Sequence, residues 1–262
     1  MKIAIVQLKT EEGKQKNIDK AICFIQKSAS KKAKLVLFPE MFLSRVKKRE
    51  DVARQAEAAD GSMVKLFMKA AREHKIAVLL GSIYEKKKGQ KKVYNTSILI
   101  NAKGKVVATY RKIHLFSACI DGKKVDEAKN ILAGTSLATG KIEKFKFGFS
   151  ICYDLRFADM YAKYRRNNVN VFLIPSAFIR KTGQKHWEVL LRARAIENQA
   201  YVLAPNQVGT NGQGIVLYGN SMAIGPSGKI LKRGSLDKEE ILYVDLNLNE
   251  LKKERKILPS FI

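Results

Sequence analysis

Three residues of this 262-residue chain stand where short apolar runs give out, and their chemistry is complementary: Glu40, Lys112 and Cys152. Glu40 closes Leu35-Val36-Leu37-Phe38-Pro39, a strand-like run stopped by proline. A carboxylate delivered there and desolvated by its neighbours gains the raised pKa a general base needs. The alternative is a surface acid capping the next segment. Lys112 follows the strand-like stretch 106–110, where an ammonium can face a developing oxyanion. In so lysine-rich a chain, a solvated side chain is its ordinary alternative. Cys152 ends Gly148-Phe149-Ser150-Ile151 and precedes Asp154, Arg156 and a helical stretch. A side chain at a strand-to-helix turn sits at the carboxyl edge of the sheet, where open α/β folds keep their crevices. Unpaired N–H groups opening a helix favour negative charge, so this placement predicts a lowered thiol pKa and a seat for an oxyanion. A small buried hydrophobe is the other reading of any single cysteine, and it suffices for Cys23 and Cys119. An acid, a cation and a thiol at three strand ends say more together than each does alone.

Other chemical patterns fail. Gly148 to Cys152 resembles a serine-hydrolase elbow, but the turn position is cysteine and Ser150 precedes it. Gly212-Gln213-Gly214 leads into an apolar run and not a helix, which disfavours a phosphate cradle. His74, His114 and His186 lie far apart with no ligand spacing, so no metal site is expected. A Cys-His protease pairing has no local support, although spacing alone leaves it open.

The elements that must position these residues alternate. Strands are predicted over 3–8, 35–38, 76–80, 145–151, 169–174, 201–205, 221–224 and 241–245, and a hairpin over 94–100 and 106–110 with its turn at 101–105. Helices are predicted over 17–29, from 60–62 through His74, over 157–167 and over 187–199. Ile18, Ala21, Ile22 and Ile25 share one face of the first; Trp187, Leu190, Leu191, Ala195 and Ile196 share one face of the last. Residues 116–137 read as loop. Mostly β-α alternation with hairpins interspersed predicts helical layers around mixed sheets, and with no repeat or linker in sight the whole chain, 1–262, reads as one domain.

Composition bounds the class. An apolar content of 46% supports a packed interior and argues against intrinsic disorder. Fifty Lys and Arg against 24 Asp and Glu give a formal charge of +26, scattered along the chain in short knots such as Lys86 to Lys88. That charge permits contact with nucleic acid or an anionic membrane without demanding it. No nucleic-acid-binding motif accompanies it, so nucleic acid is an unlikely primary partner. Three cysteines without C-x-x-C spacing disfavour a disulfide framework. The N-terminal apolar run is too short for a signal peptide, and no run approaches the ~20 residues of a membrane span. A soluble protein of a reducing compartment, the cytoplasm, is the expectation.

At the three strand-end residues the sequence resembles the nitrilase superfamily of carbon–nitrogen hydrolases. The matching segments are Leu35-Val36-Leu37-Phe38-Pro39-Glu40, Tyr110-Arg111-Lys112-Ile113-His114-Leu115-Phe116 and Ser150-Ile151-Cys152-Tyr153-Asp154-Leu155-Arg156-Phe157. More specific is Pro175-Ser176-Ala177-Phe178, then Thr182-Gly183, then His186 through Gln199, similar to the branch of omega-amidase and deaminated glutathione amidase. Tyr218-Gly219-Asn220-Ser221-Met222 and Leu258-Pro259-Ser260-Phe261 fit as well. The resemblance implies a four-layer α-β-β-α sandwich, pairing into a homodimer or larger homo-oligomer, and no metal or organic cofactor. It also implies roles: Cys152 as nucleophile, Glu40 as base, Lys112 and the Tyr153 backbone N–H as oxyanion donors, and Glu127 as a second glutamate that orients the lysine and the attacking water. After Glu40, the run Met41 to Val46 lacks a tyrosine often found nearby in relatives.

Relatives of this kind hydrolyse amides of short dicarboxylic acids, so a substrate carboxylate would need a cation. Arg156 is the candidate, with a structural ion pair as its other reading. Phe178 and Thr182 are candidate pocket residues with loop packing as theirs, and Arg192 and Arg194 read as structural. The expectation is a cysteine-dependent amidase that takes a small carboxylate-bearing amide to acid and ammonia through a thioester. The alternatives are a nitrilase or N-carbamoyl hydrolase of the same superfamily, and a non-catalytic basic scaffold.

Overall fold

The computed structural model describes residues 1–44, 46–48, 51–120 and 122–259. Ser260 and Phe261, which belong to the resemblance, lie outside them. In chain order the strands are β1 (Lys2–Gln7), β2 (Leu35–Leu37), β3 (Ala77–Lys86), β4 (Val93–Ile100), β5 (Val106–Arg111), β6 (Ser117–Ile120), β7 (Lys123–Asp126), β8 (Ile131–Leu132), β9 (Thr139–Ile142) and β10 (Phe145–Phe149). They continue with β11 (Val171–Leu173), β12 (Tyr201–Ala204), β13 (Val208–Thr210), β14 (Val216–Tyr218), β15 (Met222–Ile224), β16 (Ile230–Arg233) and β17 (Glu240–Asp245). The helices are α1 (Lys14–Ser30), α2 (Val52–Gln55), α3 (Ser62–Glu73), α4 (Ala158–Arg166), α5 (Arg180–Asn198) and α6 (Leu248–Ile257).

One sheet has the order β17-β1-β2-β3-β4-β5, with β8 beside β4; the other has the order β16-β15-β12-β11-β10-β9. Each has a parallel central trio, β1-β2-β3 and β10-β11-β12, flanked by antiparallel strands. Parallel strands are covered on both faces, which is why they read as unbroken apolar runs. The side chains alternate between two cores. Ile3, Ile5, Leu35, Leu37 and Leu79 join a core shared with Phe147, Phe149 and Leu173 of the other sheet. Ala4, Val6, Val36, Val78 and Leu80 face the opposite way, onto Ile18, Ala21 and Ile25 of α1 and Val64 and Phe67 of α3. Beyond the second sheet, α4 and α5 bury Tyr161, Tyr164, Trp187 and Leu191. The result is four layers, α-β-β-α. Each large side chain so buried contributes roughly 1.5–3 kcal/mol of transfer free energy.

Several boundaries differ from the sequence expectation, each for a physical reason. Residues 116–137 are not a loop: β6 and β7 form a hairpin from Ser117↔Asp126 to Ile120↔Lys123, followed by a 3₁₀ turn Glu127–Lys129 and by β8. This segment pairs with itself at its start and carries no apolar periodicity, so nothing in it announces a strand. Helix α5 begins seven residues earlier than Trp187. Its polar first turns and Gly183 read as loop, yet Gly183 is required by packing: a Cβ there would stand 2.5 Å from the Tyr218 ring. The hairpin β13-β14, the edge strands β9 and β16 and the charged helix α6 were likewise invisible to periodicity.

Candidate active site

Glu40 lies just past β2, and the chain around it is held from several sides. Gly81 of β3 passes so close beneath that a Cβ would sit 1.8 Å from the Phe38 carbonyl oxygen. Met41 follows in the left-handed region at φ 53°, and its N–H donates to Ser82 Oγ at 2.9 Å. The Gln207 amide donates to the Glu40 carbonyl at 2.6 Å. Glu40 is 4% exposed, not on the surface. Asn95 Nδ2 and Lys112 Nζ both donate to Oε1 at 2.9 Å, and the Ala177 N–H donates to Oε2 at 3.0 Å.

Lys112 is not the solvated lysine of the ordinary reading: it is 1% exposed at the end of β5. Its Nζ bridges Glu40 and Glu127, lying 2.9 Å from Glu127 Oε2. Burial alone would lower its pKa, but the charges of Glu127 and Glu40 overturn that and hold it well above the ordinary lysine value. Glu127 opens the 3₁₀ turn, and its Oε2 accepts the Phe116 N–H at 2.8 Å. Burial and the nearby Glu40 charge raise its pKa against the opposing pull of Lys112.

Cys152 sits on a strained elbow, with φ at 48° in the left-handed region that few non-glycine residues adopt. Fully buried Asp154 holds the elbow shut. Its Oδ2 accepts from the Ile151 N–H at 2.9 Å and the Tyr110 hydroxyl at 2.7 Å, and its Oδ1 accepts the His114 N–H at 2.9 Å. The Cys152 N–H donates to the Pro175 carbonyl at 3.0 Å. The following Tyr153 N–H makes no hydrogen bond among the described residues. The elbow opens a five-residue 3₁₀ turn, Cys152–Arg156, and α4 starts only at Ala158. The expectation of a lowered thiol pKa is therefore corrected. Burial first, then the charge of Glu40, pushes Cys152 well above the ordinary thiol value, and Lys112 only partly opposes them. The resting nucleophile is a neutral thiol with a carboxylate beside it.

Glu40, Lys112, Glu127 and Cys152 line one cavity of about 200 Å³. Tyr153, Arg156, Phe178 and Thr182 line it too, so every residue singled out for the site reaches the same space. Arg156 forms no ion pair among the described residues, contrary to its structural reading. Its guanidinium lies 5.7 Å from the Tyr153 ring and 5.4 Å from the Phe178 ring, with Nη1 3.3 Å from His186 Nδ1. Thr182 Oγ1 donates weakly to the Ile179 carbonyl at 3.3 Å. Arg194, by contrast, is buried against the Leu155 carbonyl and Glu197, and Arg192 reaches the Gly228 carbonyl.

The sequence pattern of the family described as carbon-nitrogen hydrolase matches residues 2–256. The chain belongs to the carbon–nitrogen hydrolase family. Within it, this hydrolase is 35% identical to a protein of Dictyostelium discoideum named deaminated glutathione amidase, over 99% of this chain and 92% of that one. It is 33% identical to human omega-amidase NIT2, over 99% and 93%. Among solved structures it resembles Nit3 of Saccharomyces cerevisiae, a member of branch 10 of the nitrilase superfamily, with TM-score 0.89, 31% identity and 99% and 94% coverage. It resembles the NitFhit protein of C. elegans with TM-score 0.91 and 32% identity, over 98% of this chain and 63% of that one. The carbon–nitrogen hydrolase also uses residues that strand-end reasoning passed over. Asn95, Ser82 and Gln207 support Glu40 from three different strands or their margins. Tyr84 lines the cavity with its phenol kept neutral by burial and by the charges of Glu127 and Glu40. For Asn95 alone the sequence holds a local sign, the polar run Tyr94-Asn95-Thr96-Ser97 inside an otherwise apolar strand, though not one that points to Glu40.

Proposed function

We propose that this carbon–nitrogen hydrolase is a cysteine-dependent amidase that acts on a small amide bearing a carboxylate. The supporting observation is the buried Glu40–Lys112–Glu127 network converging on Cys152 in one cavity, a costly arrangement of charges unless it serves chemistry. Cys152 Sγ attacks the amide carbonyl carbon while Glu40 takes the thiol proton. The carbonyl oxygen becomes the oxyanion, held by the Lys112 ammonium and the Tyr153 N–H; a donor of this kind is worth roughly 3–4 kcal/mol. Glu40 passes its proton to the amide nitrogen, the C–N bond breaks, and ammonia leaves a thioester on Cys152. Water then adds to the thioester, surrendering a proton to Glu40 and oriented by Glu127. The C–S bond breaks, the acid departs, and the proton returns to sulfur. The chain's own groups account for every proton.

Arg156 supplies the specificity. It is a guanidinium at the cavity wall stacked on two aromatic rings and lacking a carboxylate among the described residues, which suits a substrate carboxylate. Phe178 and Thr182 shape the same wall. We further infer that the chain pairs with a second copy through the outer face of α5, and that its three free thiols suit a reducing compartment.

The test is ammonia release from 2-oxoglutaramate, 2-oxosuccinamate, deaminated glutathione, a carbamoyl amino acid, a simple nitrile and a neutral aliphatic amide. Wild type is run beside Cys152→Ala and Arg156→Gln. Release from one ω-amide is expected, abolished in Cys152→Ala. In Arg156→Gln its kcat/KM is expected to fall by roughly 10- to 100-fold, the size of a hydrogen bond to a charged group, with the neutral amide unaffected. Equal turnover of neutral and carboxylate-bearing amides by wild type would refute the role of Arg156. Carbon dioxide from the carbamoyl substrate would replace the amidase reading with that of a carbamoyl hydrolase.

A further inference from the structure

The middle of β4 carries three consecutive buried polar residues, Asn95, Thr96 and Ser97. Two of them stay within the sheet. Thr96 Oγ1 donates to Glu85 Oε2 at 2.7 Å, and Ser97 Oγ donates to the Leu80 carbonyl at 2.9 Å. Asn95 reaches the reacting groups instead. Its Nδ2 donates to Glu40 Oε1 at 2.9 Å, and its main-chain carbonyl accepts the Lys112 N–H at 2.9 Å. Its Oδ1 is buried without a hydrogen-bond partner among the described residues. A buried orphan acceptor is destabilising and uncommon. Turning the amide over would set Oδ1 against the Glu40 carboxylate and strand Nδ2 as well. The donation of this amide to Glu40 is therefore the reason the orphan persists.

We infer that Asn95 is a positioning residue of the reaction, aiming and holding the Glu40 carboxylate through its amide while fixing the Lys112 backbone through its carbonyl. The inference rests on the reading of Glu40 as the base. Lys112 shares Oε1 with Asn95, and the ammonium must turn its charge toward the oxyanion as the tetrahedral adduct forms. A neutral amide keeps Oε1 in place meanwhile, and it has no proton to give up to the base it holds. The charged and titratable groups facing Glu40 are Lys112 from the end of β5, Glu127 from the 3₁₀ turn, Cys152 from the elbow and Tyr84 from β3. Asn95 adds no charge to this set, so replacing it with leucine removes the hydrogen bond to the carboxylate and leaves the surrounding charge as it is.

The experiment is the pH dependence of Cys152 alkylation by iodoacetamide, followed through the mass of the Cys152 peptide in the full-length protein. It needs no amide substrate. Asn95→Leu and Asn95→Asp are each expected to slow alkylation at pH 7 by roughly 10- to 100-fold and to move its acid limb up by about one pH unit or more. Asn95→Asp keeps the size of the side chain and sets a second acid beside Glu40, so its limb moves further. Simple loss of packing would leave the limb in place in Asn95→Leu, which adds no charge. An unmoved limb in the isosteric Asn95→Asp overturns the inference, whether or not Asn95→Leu folds. If Glu40→Gln alkylates as wild type does, the reading of Glu40 as base fails, and that outcome is separate from an unmoved Asn95 limb.

Discussion

At the scale of single residues, the state of the Cys152 proton decides how the enzyme starts. A thiol whose pKa is raised by folding favours its neutral form. The stability gained by keeping that form is fully present below the ordinary thiol value of 9.0 and is lost only as the pH climbs through the higher folded-state value. Between pH 7 and 9 the wild-type thiol is therefore protonated, and reactivity comes from proton transfer to Glu40 and not from free thiolate. An ordinary thiol below its pKa gains about tenfold in thiolate for each pH unit. Cys152 alkylation is expected to change by less than about threefold over that window, measured by peptide mass at fixed iodoacetamide. A tenfold rise per unit would show a free thiolate and remove Glu40 from the step. The lysine works in the opposite sense. Flanked by two carboxylates and fully buried, Lys112 remains an ammonium throughout the same window, so the oxyanion meets a full positive charge whatever the pH.

At the scale of elements, the site depends on strands that pass close to one another, and β3 supplies the tightest approach. The Phe38–Pro39 backbone lies against Gly81, where an alanine Cβ would meet the Phe38 carbonyl oxygen at 1.8 Å and the Pro39 carbonyl oxygen at 2.4 Å. Backbone cannot swing aside as a flexible side chain can. Gly81→Ala must push β2's exit away from β3 and carry Glu40 with it, at a cost of about 3 kcal/mol or more. Urea unfolding is expected to show that loss, and Cys152 alkylation at pH 7 to fall with it; wild-type midpoint and reactivity would mean that the two strands separate freely. Elements of this kind mark the limit of what was legible in the sequence. Glu40, Lys112 and Cys152 could be found because each ends an apolar run, and the helices under which Ile18 and Trp187 pack could be found because their faces repeat. Glu127 was placed only through the resemblance, since its 3₁₀ turn follows a hairpin that pairs with itself. Asn95 was hidden for a different reason. Its partner Glu40 is 55 residues away and joins it only when β2, β3 and β4 lie side by side in register. Gly81 was hidden in the same way, because close approach of two backbones leaves no local pattern.

At the scale of the whole molecule, charge and apolar exposure are distributed unequally. A chain of net charge +26 covered in scattered lysines would be expected to present polar residues on every outer helix face, and α5 does not. Val189 is 67% exposed and Ile196 48%, two turns apart on the face pointing away from Trp187 and Leu191, so Ile196 does not share the core face expected of it: nine residues along a helix bring it to the side opposite Trp187. Arg192 lies between them, ion-paired with Glu188, which also meets Arg233. Such a surface is self-complementary. Two α5 helices crossing antiparallel about a two-fold axis near Arg192 would set each Val189 against the other copy's Ile196, the isologous contact that closed dimers use. Pairing also lessens an oddity of the charge, because burying an apolar ridge offsets the repulsion between two strongly basic bodies, and that repulsion is screened by salt. Sedimentation equilibrium of wild type is expected to give a dimer that tightens as ionic strength rises. Val189→Asp with Ile196→Asp is expected to give a monomer with the same unfolding midpoint per chain at high dilution and undiminished Cys152 alkylation at pH 7, because neither side chain lines the cavity. A wild-type monomer at every salt concentration would refute the α5 contact. A dimer that survives the double substitution would place the interface on another face and leave the ridge on α5 uncovered in solution.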